Sequence, residues 1–287
     1  MHHTTNLKLK SNTEENFTSL DIQYDHQGEL AWYRMNAHPR PCFTSELVSE
    51  ITQWFNEIMN GSNPDHDNLK YIVMASNIPG VFCLGGDLNL FTQLIRSSNR
   101  EELVKYDTAC VDAMYLNHTN LGRDITTISL IQGDALGGGF ESALSSDVVI
   151  AEKSAKIGLP DILFNLFPGA GAYSFLSRKI GMIEAERMIL SGKLYSAEEL
   201  YKLGAIDILA EDGQGEKAVY DYIKKENRVR NGYRGFRQAK KLTNPITQEE
   251  LRGTAEIWAD TALKLETKDL RMMERLIKRQ SALNSSS

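Results

Sequence analysis

Two carboxylates, Glu141 and Asp161, stand beside glycine-rich stretches, and this is where the sequence concentrates its chemistry. An apolar, β-branched run, Ile125–Ile131, reads as a buried strand. The turn residues Gln132-Gly133-Asp134 follow it, and then Gly137, Gly138 and Gly139 open a helix that carries Glu141 in its first turn. A strand, glycines and a helix start aim bare backbone N–H groups at a ligand, because the first N–H groups of a helix have no internal partner. A carboxylate is favoured there by the helix dipole. The stretch Val81–Leu88, with Leu84-Gly85-Gly86-Asp87 at its turn, repeats the same passage. Two such turns facing one site could give a pair of donors to one developing oxyanion, the largest usual contribution in acyl chemistry. Two acids converging on one pocket can divide the work of acid and base, since desolvation and mutual repulsion separate their pKa values. Each feature alone also has a plainer reading. Glycine turns reverse chains, a carboxylate is often solvated, and Asp161 after Pro160 could cap a short helix over 162–165.

Other chemistries find little support. No dinucleotide-binding or P-loop glycine pattern occurs, and no G-x-S-x-G elbow marks a serine hydrolase. The histidines, His2, His3, His26, His38, His66 and His118, show no metal-ligand spacing, so no metal and no cofactor is expected. Lys224, Lys225, Arg228, Arg230, Arg234, Arg237, Lys240 and Lys241 face only Glu226 as a counter-charge within their stretch. This local positive patch could steer an acidic carrier protein or a phosphate, or be an ordinary solvated helix face. Trp258, Leu263, Leu265, Met272, Met273 and Leu276 form an apolar stripe suited to core or subunit packing, or to lining an acyl pocket.

The elements that must position these groups alternate. Strands are expected at Leu20–Tyr24, Glu29–Met35, Tyr71–Ser76, Ile125–Ile131, Val148–Ala151 and Ile206–Leu209. Between them lie helices at Glu46–Met59, Leu88–Asn117 and Ile183–Leu190, one starting at Tyr173, and one opened by the capping box Ser196–Glu199. The chain from Gln214 to Leu283 reads as helical. Alternation of this kind implies an α/β fold. It divides into a polar, frayed tail at 1–16, a core at 17–210 and a helical C-terminal region at 211–287 that packs on the core or a neighbouring subunit, with Ser285–Ser287 disordered.

Composition agrees with a soluble globular protein, at 41% hydrophobic and 24% charged residues with a net charge of −6. Net acidity argues against nucleic acid or an anionic membrane as the main partner. Cys42, Cys83 and Cys110 have neither zinc-site nor disulfide-framework spacing, which favours a reducing compartment. No secretory signal is evident and no run approaches the roughly 20 apolar residues of a membrane span, so a cytoplasmic location and no membrane insertion are expected.

Taken together, the motifs resemble those of the crotonase, or enoyl-CoA hydratase/isomerase, superfamily. Phe82-Cys83-Leu84-Gly85-Gly86-Asp87-Leu88 resembles its first oxyanion segment, and the ten residues Gln132 to Glu141 resemble the second. Gly158-Leu159-Pro160-Asp161 with Phe167-Pro168-Gly169-Ala170-Gly171-Ala172 resembles the third. Within the superfamily the chain looks most like the diffusible signal factor synthases of bacterial quorum sensing. The stretches that carry this are Arg40-Pro41-Cys42-Phe43, Leu163-Phe164-Asn165-Leu166-Phe167-Pro168-Gly169, Lys268-Asp269-Leu270 and Met273-Glu274-Arg275-Leu276.

The resemblance implies a ββα spiral core with a helical C-terminal region, usually assembled as a homotrimer. It implies that backbone N–H groups at Leu84 and Gly138, with Gly85 in the turn, polarise a thioester carbonyl, while Glu141 and Asp161 act as acid and base. Gly137, Ala170, Trp258 and Leu276 would then line the acyl pocket. The implied reaction converts a 3-hydroxyacyl-acyl carrier protein into a cis-2-enoyl thioester and hydrolyses it to the free acid. A CoA-linked hydratase or isomerase, and a binding protein with little turnover, are the alternatives. A membrane sensor kinase that sequesters the synthase is the implied regulatory partner. One departure is visible: the second acid is commonly Glu in these enzymes and is Asp161 here. A catalytic group misplaced by about 1 Å can lose on the order of 10²-fold in rate.

Overall fold

The computed structural model describes residues 17–61 and 63–283. The stretch 1–16 and the Ser285–Ser287 tail, both expected to be disordered, lie outside the described residues. The chain starts with a hairpin, β1 (Leu20–Asp25) and β2 (Leu30–Met35), antiparallel with Leu20 opposite Met35. Helix α1 (Ser45–Asn60) follows; Thr44 caps it by accepting from Leu47 N, and Gly61 in the left-handed region closes it.

From there the chain repeats one unit. A longer strand joins a large sheet, a three-residue strand joins a small one, and helix follows. The first unit is β3 (Tyr71–Ser76), β4 (Val81–Cys83), α2 (Leu88–Arg96) and α3 (Arg100–His118). The second is β5 (Thr126–Ile131), β6 (Asp134–Leu136) and α4 (Gly138–Leu144). The third is β7 (Val148–Glu152), β8 (Lys156–Gly158), a 3-10 turn over Pro160–Phe164, α5 (Ala172–Ile180) and α6 (Met182–Ser191). The short β9 (Leu194–Ser196), α7 (Ala197–Leu203) and β10 (Ile208–Ala210) close the core. Four helices complete the C-terminal region: α8 (Gly215–Asn227), α9 (Arg230–Thr243), α10 (Gln248–Ala262) and α11 (Thr267–Leu283).

The large sheet has the order β1-β2-β3-β5-β7-β10, parallel from β2 onward, and the small sheet the order β4-β6-β8-β9. This is the ββα spiral that the sequence resemblance implied. Both faces of the large sheet are covered, so its strands β2, β5 and β7 are buried throughout. The larger apolar core contains α1, α3, α4, α5 and α10 side chains; a smaller one on the opposite face is sealed by Val219 and Ile223 of α8.

Three expectations shift. The helix expected over Leu88–Asn117 is two helices, because Ser98 turns into the left-handed region and Asn99 caps α3 by accepting from Glu102 N. The strand expected at Ile206–Leu209 begins at Ile208: the Ile206 N–H is spent on Leu200 O at the end of α7, and the Asp207 carboxylate accepts from Val149 N at 2.7 Å. The residues Asp134–Leu136, read as turn and helix approach, form β6 instead. The capping box at Ser196 and Glu199 is present as expected.

Candidate active site

Where the small sheet meets α3, α4 and α10, a cavity of about 40 Å³ is lined by Glu141, Asp161, Gly138, Ala170 and Trp258, all singled out in the sequence. The spiral explains their meeting. Parallel β4, β6 and β8 end side by side, so the turns after them, carrying Gly86, Gly138 and Asp161, open on one side of the small sheet.

The glycines are there for contact. The first two turns abut so closely that a Cβ at Gly85 would stand 2.9 Å from Leu136 O, and one at Gly139 would stand 2.2 Å from Cys83 O. Gly137 adopts a positive φ of 49° and donates its N–H to Gly158 O, which joins the second turn to the third. A Cβ at Gly137 would lie 3.3 Å from Asp161 Oδ2. Gly138 is the first residue of α4, so its N–H has no preceding helical carbonyl to bond.

One expected donor is corrected. The Leu84 N–H donates to Pro41 O at 2.8 Å and is spent on holding the turn. Neither Leu84 nor Gly85 reaches the cavity wall; Gly86 does, and its nitrogen would stand 3.4 Å from a Cβ at Gly138. A Cβ at Gly86 would stand 2.6 Å from the Phe91 ring, so a larger residue there would have to displace that ring. The paired backbone positions at the cavity are therefore Gly86 and Gly138. Gly137 packs beside Asp161 and does not line the cavity, and Leu276 is half-buried against the main core and also stays off the wall.

Glu141 is 2% exposed, and its Oε1 accepts from Ala172 N at 2.9 Å, the first N–H of α5. Burial first, then the charges of Asp161 and Asp107, hold its carboxyl well above the ordinary carboxylate range. Asp161 sits in the 3-10 turn, and burial pushes it up to about 6. The sequence reading missed Asp107. It lies on α3, is 5% exposed, lines the same cavity, and is pushed up to about 7 by burial and then by the charge of Asp161. Among the described residues no Lys, Arg or His lines the cavity. Three carboxyl groups without a cation cannot all be ionised at neutral pH. The site therefore stores protons.

The stretches flanking the site are tied to it. Arg40 pairs with Asp87 at 2.8 Å, and the Phe43 N–H donates to Gly85 O. Asn165, beyond Asp161, donates to Asp269 of α11 at 3.2 Å. Trp258 of α10 packs so tightly on Gly169 that a Cβ there would stand 2.4 Å from its Cγ. Behind the cavity, an apolar space of about 30 Å³ shares Phe43, Cys110 and Met114 with it. The basic stretch is partly consumed internally: Arg230 and Arg237 pair with Glu226, Arg234 with Asp124, and Lys241 with Asp147. Lys224, Lys225, Arg228 and Lys240 remain exposed.

A protein-family model described as enoyl-CoA hydratase/isomerase matches residues 28–273. The chain belongs to this family. Mouse mitochondrial methylglutaconyl-CoA hydratase is 33% identical over 208 residues, which cover 72% of this chain and 62% of that protein. The human protein is 34% identical, with the match covering 58% of its length. The chain thus spans about 60% of the curated relatives it matches. Among solved structures, enoyl-CoA hydratase from Bacillus halodurans superposes with a TM-score of 0.71 at 24% identity, covering 90% of this chain and all 100% of that one. DspI from Pseudomonas aeruginosa superposes with a TM-score of 0.67 at 24% identity, covering 86% and 87%. These two show a shared fold. Among the described residues no helix is long and apolar enough to cross a membrane.

Proposed function

We propose that this crotonase dehydrates a 3-hydroxyacyl thioester of acyl carrier protein to the cis-2-enoyl thioester and then hydrolyses the thioester, releasing a cis-2-unsaturated fatty acid signal. The N–H groups of Gly86 and Gly138 hold the thioester oxygen as it becomes an enolate or tetrahedral oxyanion. Glu141 and Asp161 exchange protons with the α-carbon, the β-oxygen and later the attacking water. One observation carries the choice of substrate and product. The stretches in which the chain resembles the signal synthases are joined to the catalytic turns and to one another, through Arg40–Asp87 and Asn165–Asp269. The exposed Lys224, Lys225, Arg228 and Lys240 suit an acidic carrier protein. Assembly as a homotrimer and restraint by a sensor kinase belong to the same reading.

A second reading has its own support. The curated relatives at 33–34% identity are CoA hydratases, which favours reversible hydration of an enoyl-CoA. Purified protein given matched 3-hydroxyacyl thioesters of CoA and of acyl carrier protein separates the two. Free cis-2-enoic acid, identified by mass spectrometry and formed from the carrier-protein substrate, is the expected product. Hydration of trans-2-enoyl-CoA with no acid released would refute the synthase reading and leave the hydratase.

A further inference from the structure

Asp107 is the one carboxyl group at the cavity to which the acid–base scheme gives no task. Its Oδ2 is buried and has no hydrogen-bond partner within the protein, and the same is true of Asp161 Oδ2. Both residues line the cavity of about 40 Å³, room on the scale of one water molecule. A buried carboxyl oxygen without a partner is costly, and one water meeting two such oxygens satisfies both. We propose that Asp107 is a third catalytic carboxyl group, which with Asp161 holds the water that adds to, or departs from, the acyl β-carbon.

The proposal rests on the enoyl-thioester reading of the site and assigns its water. In the hydration direction the water oxygen bonds to the β-carbon and its proton passes to the Asp161 carboxylate. The electron pair of the carbon–carbon double bond moves to the thioester oxygen, held by Gly86 and Gly138. Collapse of that enolate takes a proton from the Glu141 carboxyl to the α-carbon. A proton returns from Asp161 to Glu141 through solvent after release. Dehydration is the reverse. Asp107 stays protonated and fixes the water by a hydrogen bond. If it ionises, a second anion opposes the enolate charge that must develop.

The groups facing Asp107 are Glu141 from α4, Asp161 from the 3-10 turn, and Tyr106 and Cys110 on α3 itself; α2 and α10 present only apolar Leu88, Phe91 and Trp258 to the cavity. With burial placing Asp161 at about 6 and Asp107 at about 7, kcat/KM rises as Asp161 ionises and falls as Asp107 does.

The test is the pH profile of kcat/KM for dehydration of 3-hydroxydecanoyl thioesters, on CoA and on acyl carrier protein. Asp107→Asn should lose roughly 10- to 100-fold at the optimum, the low end of acid–base effects, and lose the alkaline fall near pH 7. Asp107→Leu, which cannot hold the water, should lose about 10²-fold or more. An Asp107→Asn profile with the alkaline fall intact, or Asp107→Leu at the wild-type rate, overturns the proposal. Glu141→Gln in parallel tells the two levels apart. If it is impaired and the Asp107 variants are not, only this inference falls; if it too is silent, or the wild type acts on neither thioester, the carboxylate reading falls with it.

Discussion

Removing the charge of Asp107 should make the protein more stable at alkaline pH while it impairs turnover. The folded protein holds the Asp107 carboxyl at about 7 against an ordinary value of 3.8. Below the ordinary value both folded and unfolded chains carry the proton, and nothing is lost. Between the two values the folded chain keeps a proton that the unfolded chain has released. Stability therefore falls as pH rises through this window, and the loss is complete above about pH 7. At 1.36 kcal/mol per pKa unit, the roughly three-unit shift amounts to about 4 kcal/mol. Asn does not titrate. An unpaired buried amide brings its own cost of about 1–3 kcal/mol, but that cost is the same at every pH. The advantage of Asp107→Asn over wild type should thus grow by about 4 kcal/mol from acid to alkaline conditions. Urea unfolding followed by tryptophan fluorescence at about pH 4 and about pH 8 measures it. A difference that does not change with pH would refute the physical account of the site as a store of protons.

Glu141→Gln keeps an oxygen for the Ala172 N–H and removes the exchangeable proton, so turnover of an enoyl thioester should fall about 10²- to 10⁴-fold with circular dichroism unchanged. Gly169→Ala drives a methyl group into the Trp258 ring, 2.4 Å away; a loss of about 1–3 kcal/mol in unfolding and an altered dependence of KM on acyl chain length are expected. Glu226 is fully buried, accepting from Thr126 and Tyr222 at 2.9 and 2.7 Å and pairing with Arg237 and Arg230. Glu226→Ala removes the buried partner of Arg237, leaving it only the longer 4.0 Å contact with Asp147, and should cost about 3–5 kcal/mol in urea unfolding with activity per folded molecule preserved.

Much of the site was legible because glycine announces close backbone approach. Gly137, Gly138 and Gly139 after a strand, and Gly85 and Gly86 after another, mark the places where two turns touch, and a Cβ at Gly85 or Gly139 would meet the facing backbone at 2.9 and 2.2 Å. Glu141 followed from its place in the first turn of α4. Asp107 did not. In sequence it is an acid within an ordinary polar helix, and only the fold shows that its face of α3 turns to the cavity. A pattern test could have found it, since Leu103, Tyr106, Asp107, Cys110 and Val111 all fall on the buried stripe of that helix. Leu84 was misassigned for a different reason: which N–H of a turn is free depends on what pairs with its neighbours. Here Pro41 takes the Leu84 N–H, a contact between stretches far apart in sequence. The three-residue strands β6, β8 and β9 were invisible because they are too short to show a period.

The two faces of the large sheet are insured very differently. The face toward the catalytic turns is buried under several helices, whereas the apolar side chains covering Leu30, Trp32, Val73 and Ile150 on the other come, among the described helices, from α8 alone. Opening α8 would break the Glu226 network and bare a broad apolar sheet face while the core around the candidate site stays packed. Aggregation on heating that starts from this opening would start from molecules whose candidate site is still folded, and α8, remote from that site, would set the lifetime of the protein in a warm, concentrated solution.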